Sequence, residues 1–354
     1  KKGYIARGYF GKGGIFVKKR TTVLCLLSLV TAVCLFPAAA AAMVKVDLHG
    51  TTGLGFEWKD TKDNTDGANG ETFLFDGEVN LDLKLTSADQ TNCVLALLYQ
   101  TGKAQIEVEE GYLEFNPSLN LLLRVGRQKV SWGTGFGWNP TNYLMPKKTE
   151  EKGVDLFKIR LNRKDLRGSL LVKPGAELAE TEAAVRIARM LPNKDFSISF
   201  YQGKDKNAVG FDFAVVAGNY VFYGEVASKS GLPLLIPEEP VVPKDTYFQG
   251  VAGFYRFLPG NVFLVVEYFH ENQENYISLV TSKSMRAGEV TLSKSILWNL
   301  QDQSYMLNPS LRYLLGANAY LELSAELYRG KSETVFGENP WRNHVILEMV
   351  WFFK

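Results

Sequence analysis

The sequence is poor in the residues that most often carry chemistry. Its 354 residues include three cysteines and three histidines. Three cysteines are too few for a disulfide scaffold, and Cys93, followed by Val94, Leu95, Ala96 and Leu97, reads as a small strand residue. His49, His270 and His344 lie far apart and form no metal-ligand spacing. No charge dominates: 40 Lys plus Arg face 38 Asp plus Glu, which leaves no basic footprint for nucleic acid. There is no GxGxxG fingerprint, P-loop or Cys-His zinc spacing, and no motif nominates a Ser-His pair with an orienting group. The run KDTKDNTDGANGE looks calcium-like, but aligning Gly67 with the EF-hand glycine puts Lys62 where the first Asp should be, so it reads as a hydrated loop. Catalytic, cofactor-binding and metal residues are therefore without candidates. The chain reads as a non-enzyme that needs no cofactor.

Acidic side chains are missing altogether from residues 1–42, which hold seven basic ones. Lys18-Lys19-Arg20 precedes TTVLCLLSLVTAVCLFP and AAAAA, the n-region, apolar core and small residues of an export signal. Ala40-Ala41-Ala42 supplies the cleavage pattern, and an uncleaved membrane anchor is the alternative. Val33 before Cys34 argues against lipoprotein processing. Residues 1–16 fit no part of a signal and read as leader sequence untranslated in the cell, with Val17 as the start. From Met43 onward the balance is 33 basic against 38 acidic residues, 33 − 38 = −5, and residues 43–354 read as one domain.

Long apolar runs are absent from Met43 onward, so no membrane helix is expected there. What is present is alternation with period two. Val44, Val46, Leu48, Thr52, Leu54 and Phe56 fall on one face of the first segment, opposite Lys45, Asp47, His49 and Thr51. We count sixteen such segments, near 43–58, 72–86, 91–101, 105–116, 118–128, 153–162, 166–173, 182–191, 195–202, 208–217, 220–229, 246–257, 261–271, 303–315, 318–329 and 342–353. Tight turns follow the even-numbered segments, and mostly longer polar loops, such as 59–71, 129–152, 230–245 and 272–302, follow the odd-numbered ones. An up-and-down antiparallel barrel crossing the outer membrane has this asymmetry, and a soluble sandwich has no reason for it. The expectation is an all-β transmembrane barrel of sixteen strands, with fourteen or eighteen as the alternatives.

If the apolar parity faces lipid, the other faces the lumen. Arg124, Arg127, Lys158, Arg160 and Arg186 then make one basic wall, and Glu267, Glu322, Glu326 and Glu348 an acidic wall opposite it. Glu225 and Arg312 fall outside this division. A solvated, ion-paired lumen without selectivity is the alternative. Glu107, Glu109 or Glu110 is expected to pair with Arg124 and Arg127 across a hairpin at Asn116-Pro117. Arg189 lies on the apolar parity, so it is expected near an interface.

Val345, Leu347, Met349, Trp351 and Phe353 alternate to the chain end, which resembles the aromatic C-terminal signal of bacterial outer-membrane proteins, with Lys354 as a departure. Gly126-Arg127-Gln128, Trp132-Gly133-Thr134-Gly135 and Asn139-Pro140-Thr141 resemble a pattern of porin-like outer-membrane barrels over about 25 residues. The resemblance implies a passive diffusion channel for small hydrophilic solutes or ions in the bacterial outer membrane. Its loop 129–152 either folds inward as a constriction lined by Trp132, Phe136, Trp138 and Asn139 or packs outside on its own aromatics. The partners implied are outer-membrane lipid, the barrel assembly machinery through the C-terminal strand, and the solutes; a homotrimer is left open. Two further readings stand: a non-conducting surface-binding or structural barrel, and a channel specific for one saccharide or anion.

Overall fold

The computed structural model describes residues 45–62, 69–87, 91–101, 105–144, 152–236, 241–339 and 341–353. The leader, the export signal and the core of the calcium-like run lie outside the described residues. The strands, in chain order, are β1 (Lys45–Lys62), β2 (Asn69–Thr86), β3 (Asn92–Gln100), β4 (Gln105–Ser118), β5 (Leu121–Gln128) and β6 (Val154–Arg163). They continue as β7 (Leu166–Lys173), β8 (Glu182–Leu191), β9 (Lys194–Gly203), β10 (Lys206–Ala217), β11 (Tyr220–Ser230) and β12 (Tyr247–Leu258). The last six are β13 (Val262–Glu271), β14 (Glu274–Met285), β15 (Val290–Asn299), β16 (Tyr305–Leu314), β17 (Ala319–Arg329) and β18 (Trp341–Phe353).

Each strand pairs antiparallel with its sequence neighbours, and β1 pairs with β18, so the 18-stranded sheet closes on itself. The all-β up-and-down barrel is therefore as the alternation predicts, at the larger of the strand numbers considered. Segment 272–302, read from sequence as a long loop, is the hairpin β14–β15. The alternation is hard to see there because both faces mix classes. Ile277, Leu279, Thr281 and Lys283 share one face of β14, and Tyr276, Ser278, Val280 and Ser282 share the other. The turn offers no Asn-Gly or Asp-Gly signal either, since Arg286 and Ala287 take the left-handed backbone (φ 51° and 55°) that such turns need. The two added strands form one hairpin, so short turns and long loops keep their opposite ends. The first loop also contracts, because β1 runs to Lys62 and β2 starts at Asn69.

The faces separate as an inside-out protein requires. Ile198, Phe200, Val209, Phe211, Phe222 and Val226 are exposed on the outer surface, while Ser199, Asp212, Glu225 and Ala227, on the other parity of the same strands, are buried. Both chain ends of the barrel, Lys45 opposite Thr86 and Phe353 opposite Gly50, lie at the short-turn end. Arg189 sits there too, on the outer face and paired with Asp165 (3.0 Å) in the β6–β7 turn. The guanidinium holds the exposed Asp165 carboxyl below its ordinary range.

Candidate functional site

The interior is occupied on one side by the loop after β5. Its backbone runs across the barrel to β9, β11 and β13, held by two inward carboxylates. Glu225, in the middle of β11, accepts from the N–H groups of Thr134, Gly135 (2.6 Å) and Thr141 (3.1 Å) and from the Thr141 hydroxyl (2.8 Å). Glu267 on β13 accepts from the N–H of Phe136 and of Gly137 (2.7 Å). Four consecutive amides thus face two carboxylates, an arrangement that charge-assisted bonds favour. The sequence Trp-Gly-Thr-Gly permits it locally. Gly133 has φ 95°, and a Cβ there would run into the Glu225 carboxylate. Asn139, its amide nitrogen turned to Glu225 Oε1 (3.3 Å) and the Gly135 carbonyl (3.1 Å), closes the cradle.

Aromatic packing holds the other described residues of the loop, up to Leu144. Trp138 stacks on Phe269 (centroids 4.7 Å apart, planes at 7°), and Phe136 approaches Phe263 (6.0 Å). Trp132, Val130 and Tyr143 form a buried cluster with Leu156, Leu171, Ala184 and Tyr201, the inward residues of β6 to β9. The Tyr143 hydroxyl bonds Ser199 Oγ (2.9 Å), and burial pushes its pKa up to about 12. Two more loops lean inward. Leu235 and Ile236 donate to Glu271 (2.5 and 3.1 Å), which also accepts from Gln249, itself bonded to the buried Lys229. Phe336 donates its N–H to Ser304 Oγ (3.2 Å) and sets its ring against Tyr276.

The residues expected to line the pore are distributed as follows. Arg124, Lys158 and Arg160 share the inward face of β5 and β6, Arg124 opposite Lys158. Arg124 pairs with Glu114 and lies over the Tyr112 ring (4.1 Å), so its partner is Glu114 and not Glu107, Glu109 or Glu110. Arg186 donates to Asp212 (2.7 Å) and Ser197 (2.8 Å), which neutralises it. Arg127 must be moved from the lumen set: it is opposite Asp155 on the outer face, next to Val125 in parity, and pairs with that aspartate (2.7 Å). Lys129 pairs with Glu109 (3.2 Å). Among the described residues neither Lys158 nor Arg160 has a carboxylate partner at ion-pair distance. Glu322 and Glu348 face inward directly opposite each other, with Arg312 on Glu322 (2.7 Å). Glu326 accepts from Tyr328 (3.0 Å) and lies 3.3 Å from His344 Nδ1. Glu267 points inward but is covered by the loop, at 1% exposure. Glu225, which the two-wall division left out, proves to be the principal anchor; its signal in sequence is only a lone acid in an inward row.

Eighteen strands also change which walls oppose. β5 now faces β14, whose inward side is Tyr276, Ser278, Val280 and Ser282, and the acidic strands β17 and β18 face β8 and β9. The basic and acidic patches are thus oblique to each other. Among the described residues no group of three or more His, Cys, Asp and Glu could hold a metal ion.

No protein-family model matches the chain, and no curated protein does. Among solved structures it is similar to OccK5 (OpdH) of Pseudomonas aeruginosa, with a TM-score of 0.58 and 10% identity, covering 87% of this chain and 98% of that one. It is also similar to the porin of Rhodopseudomonas blastica in engineered forms, among them a triple mutant, with a TM-score of 0.53 and 8% identity over 87% of this chain and 100% of that one. At such identity the likeness is one of fold, a porin-like barrel.

Proposed function

We propose that the chain is a bacterial outer-membrane channel through which small hydrophilic solutes or ions diffuse down their gradients, narrowed by loop 129–152. One observation carries this reading most: the loop is pinned at mid-barrel by Glu225 and Glu267, on one side of the interior. A loop whose task was outside would have no use for two buried carboxylates in the lumen. Exposed apolar rows outside a closed sheet support placement in a membrane, since each strand is paired on both sides and the sheet leaves no open edge. Tyr305 and Trp298 at the long-loop end, with Tyr313 and Phe222 at the other, are exposed where interfacial girdles would lie. The Gly-Arg-Gln, Trp-Gly-Thr-Gly and Asn-Pro-Thr pattern supports the same class; Gly133, Thr134, Gly135, Asn139 and Thr141 of its last two parts belong to the cradle, whereas Gly126, Arg127 and Gln128 end β5. Lys158 and Arg160, inward cations with no carboxylate at ion-pair distance among the described residues, would act on permeating ions.

Purified protein in a planar bilayer tests the reading: stepwise ohmic conductance is expected. A folded, membrane-inserted barrel without conductance would favour the surface-binding alternative instead.

A further inference from the structure

The outer face of β14 to β16 breaks the apolar belt. On β15 the outward row is Val290, Leu292, Lys294, Ile296 and Trp298, so Lys294 is at its centre and is exposed. Its direct cross-strand neighbours are Thr281 on β14 and Pro309 on β16. Pro309 lies midway between the exposed Tyr305 and Tyr313 of β16, which mark the two edges of the belt. Lys283, also outward and exposed, stands opposite Leu292 and is therefore a diagonal neighbour of Lys294. Diagonal positions are about 7–8 Å apart, within reach of two long side chains. Below Lys283, at the short-turn end, the turn adds Arg286.

Three other outward cations are matched within the protein, and Arg163 and Lys194, without an ion-pair partner among the described residues, stand at the short-turn ends of β6 and β9 rather than within the belt. Arg127 has Asp155 (2.7 Å), Arg189 has Asp165 (3.0 Å) and Arg256 lies over the Tyr220 ring (4.4 Å). Among the described residues Lys283 and Lys294 have no such partner. Unmatched ammonium groups are least tolerable toward the middle of a bilayer, and Lys relieves this by reaching along the surface to an anionic group at the edge.

We infer that Lys283 and Lys294 form a site on the outer wall for the phosphodiester headgroup of an anionic phospholipid in the leaflet at the short-turn end. Both ammonium groups converge on the phosphate, Lys294 by extending downward past the level of Lys283. The acyl chains lie along Leu279, Leu292 and Leu311. The site rests on the membrane placement proposed above.

The test uses purified full-length protein with equimolar phosphatidylglycerol and phosphatidylcholine, with retained lipid read by native mass spectrometry. A preference of about thirtyfold for phosphatidylglycerol is expected from two lysine contacts. Lys283→Met with Lys294→Met should bring the ratio to parity, and Lys294→Arg should keep it. Parity in the unaltered protein, or an unchanged preference in the double variant, would overturn the site. So would capture of another envelope protein by a photo-reactive side chain at position 294 in cells. Insertion into vesicles of pure phosphatidylcholine reads the membrane placement separately: failure there removes the membrane reading, whereas insertion without headgroup preference removes only this site.

Discussion

At the scale of single residues, the interior is organised by where charge is made to meet backbone. Glu225 accepts five bonds from the loop, the one from Asn139 included, and is 4% exposed. A carboxylate buried in this way is tolerable only because N–H and O–H groups replace water around it. Bonds to a charged acceptor contribute about 1.5–3 kcal/mol each, so replacing Glu225 by Gln, which keeps the volume but removes the charge, should weaken the cradle measurably. The expected outcome is faster hydrogen exchange, by about 10–100-fold, at the amides of Thr134, Gly135 and Thr141, with the strand amides of β11 unaffected. Equal protection in the variant would mean that aromatic packing alone holds the loop. Gly133→Val tests the same contact from the other side. Its backbone needs φ 95° and a Cβ would strike the carboxylate, so the variant should lose loop protection while the barrel still closes. Such an anchor is nearly invisible in sequence. Glu225 is one acid in an inward row like many others, and only the loop that descends onto it gives it a role.

At the scale of elements, legibility followed how pure each alternation is. β1, β2, β17 and β18 have clean apolar rows and were found close to their observed ends. β14 and β15 were missed because Thr281, Lys283 and Lys294 interrupt the outer row while Val280 and Leu297 enter the inner one, and because their turn uses Arg286 and Ala287 at positive φ. The loop after β5 was recognised by its motif, but the motif could not say whether it folds in or out. Tyr143 is where that loop rejoins the barrel wall, and its titration offers a handle. Burial raises its pKa from 10.0 to about 12, so the docked loop holds the phenol proton more tightly than a released loop does. The contribution to docking is fully present below pH 10, the value for a free tyrosine, and is lost as pH rises through about 12. Conductance is therefore expected to become larger or noisier between those values, and Tyr143→Phe, which cannot ionise, should shift or abolish the transition. A Tyr143→Phe channel with the same alkaline transition would place the titrating group elsewhere.

At the scale of the whole molecule, the strand count changes the electrostatics more than the fold. A sixteen-strand ring would set basic and acidic walls face to face. Eighteen strands set β5 and β6 opposite β14 and β15, whose inward sides carry Ser278, Ser282, Ser293 and Ser295. Arg124 and Arg186, the natural choices from sequence for altering selectivity, are each held by a carboxylate, Glu114 and Asp212, so their fields are largely cancelled locally. Lys158 and Arg160 are not so matched and should dominate the positive side of the lumen. On the acidic side Glu348 faces Glu322 across adjacent strands, and only Glu322 has Arg312. A unit charge a few ångströms from the path of an ion in water is worth roughly 0.5–1 kcal/mol, about a twofold to fivefold change in relative permeability. Lys158→Glu with Arg160→Glu should therefore move the reversal potential toward cation preference by at least that factor, and Arg124→Glu alone by less, since it also frees Glu114. Glu322→Gln with Glu348→Gln should move it the opposite way. The three shifts would be measured in one salt gradient at low ionic strength, where screening is weakest. If Arg124→Glu shifts selectivity more than the Lys158 and Arg160 pair does, ion pairing is not what decides which wall charges an ion senses.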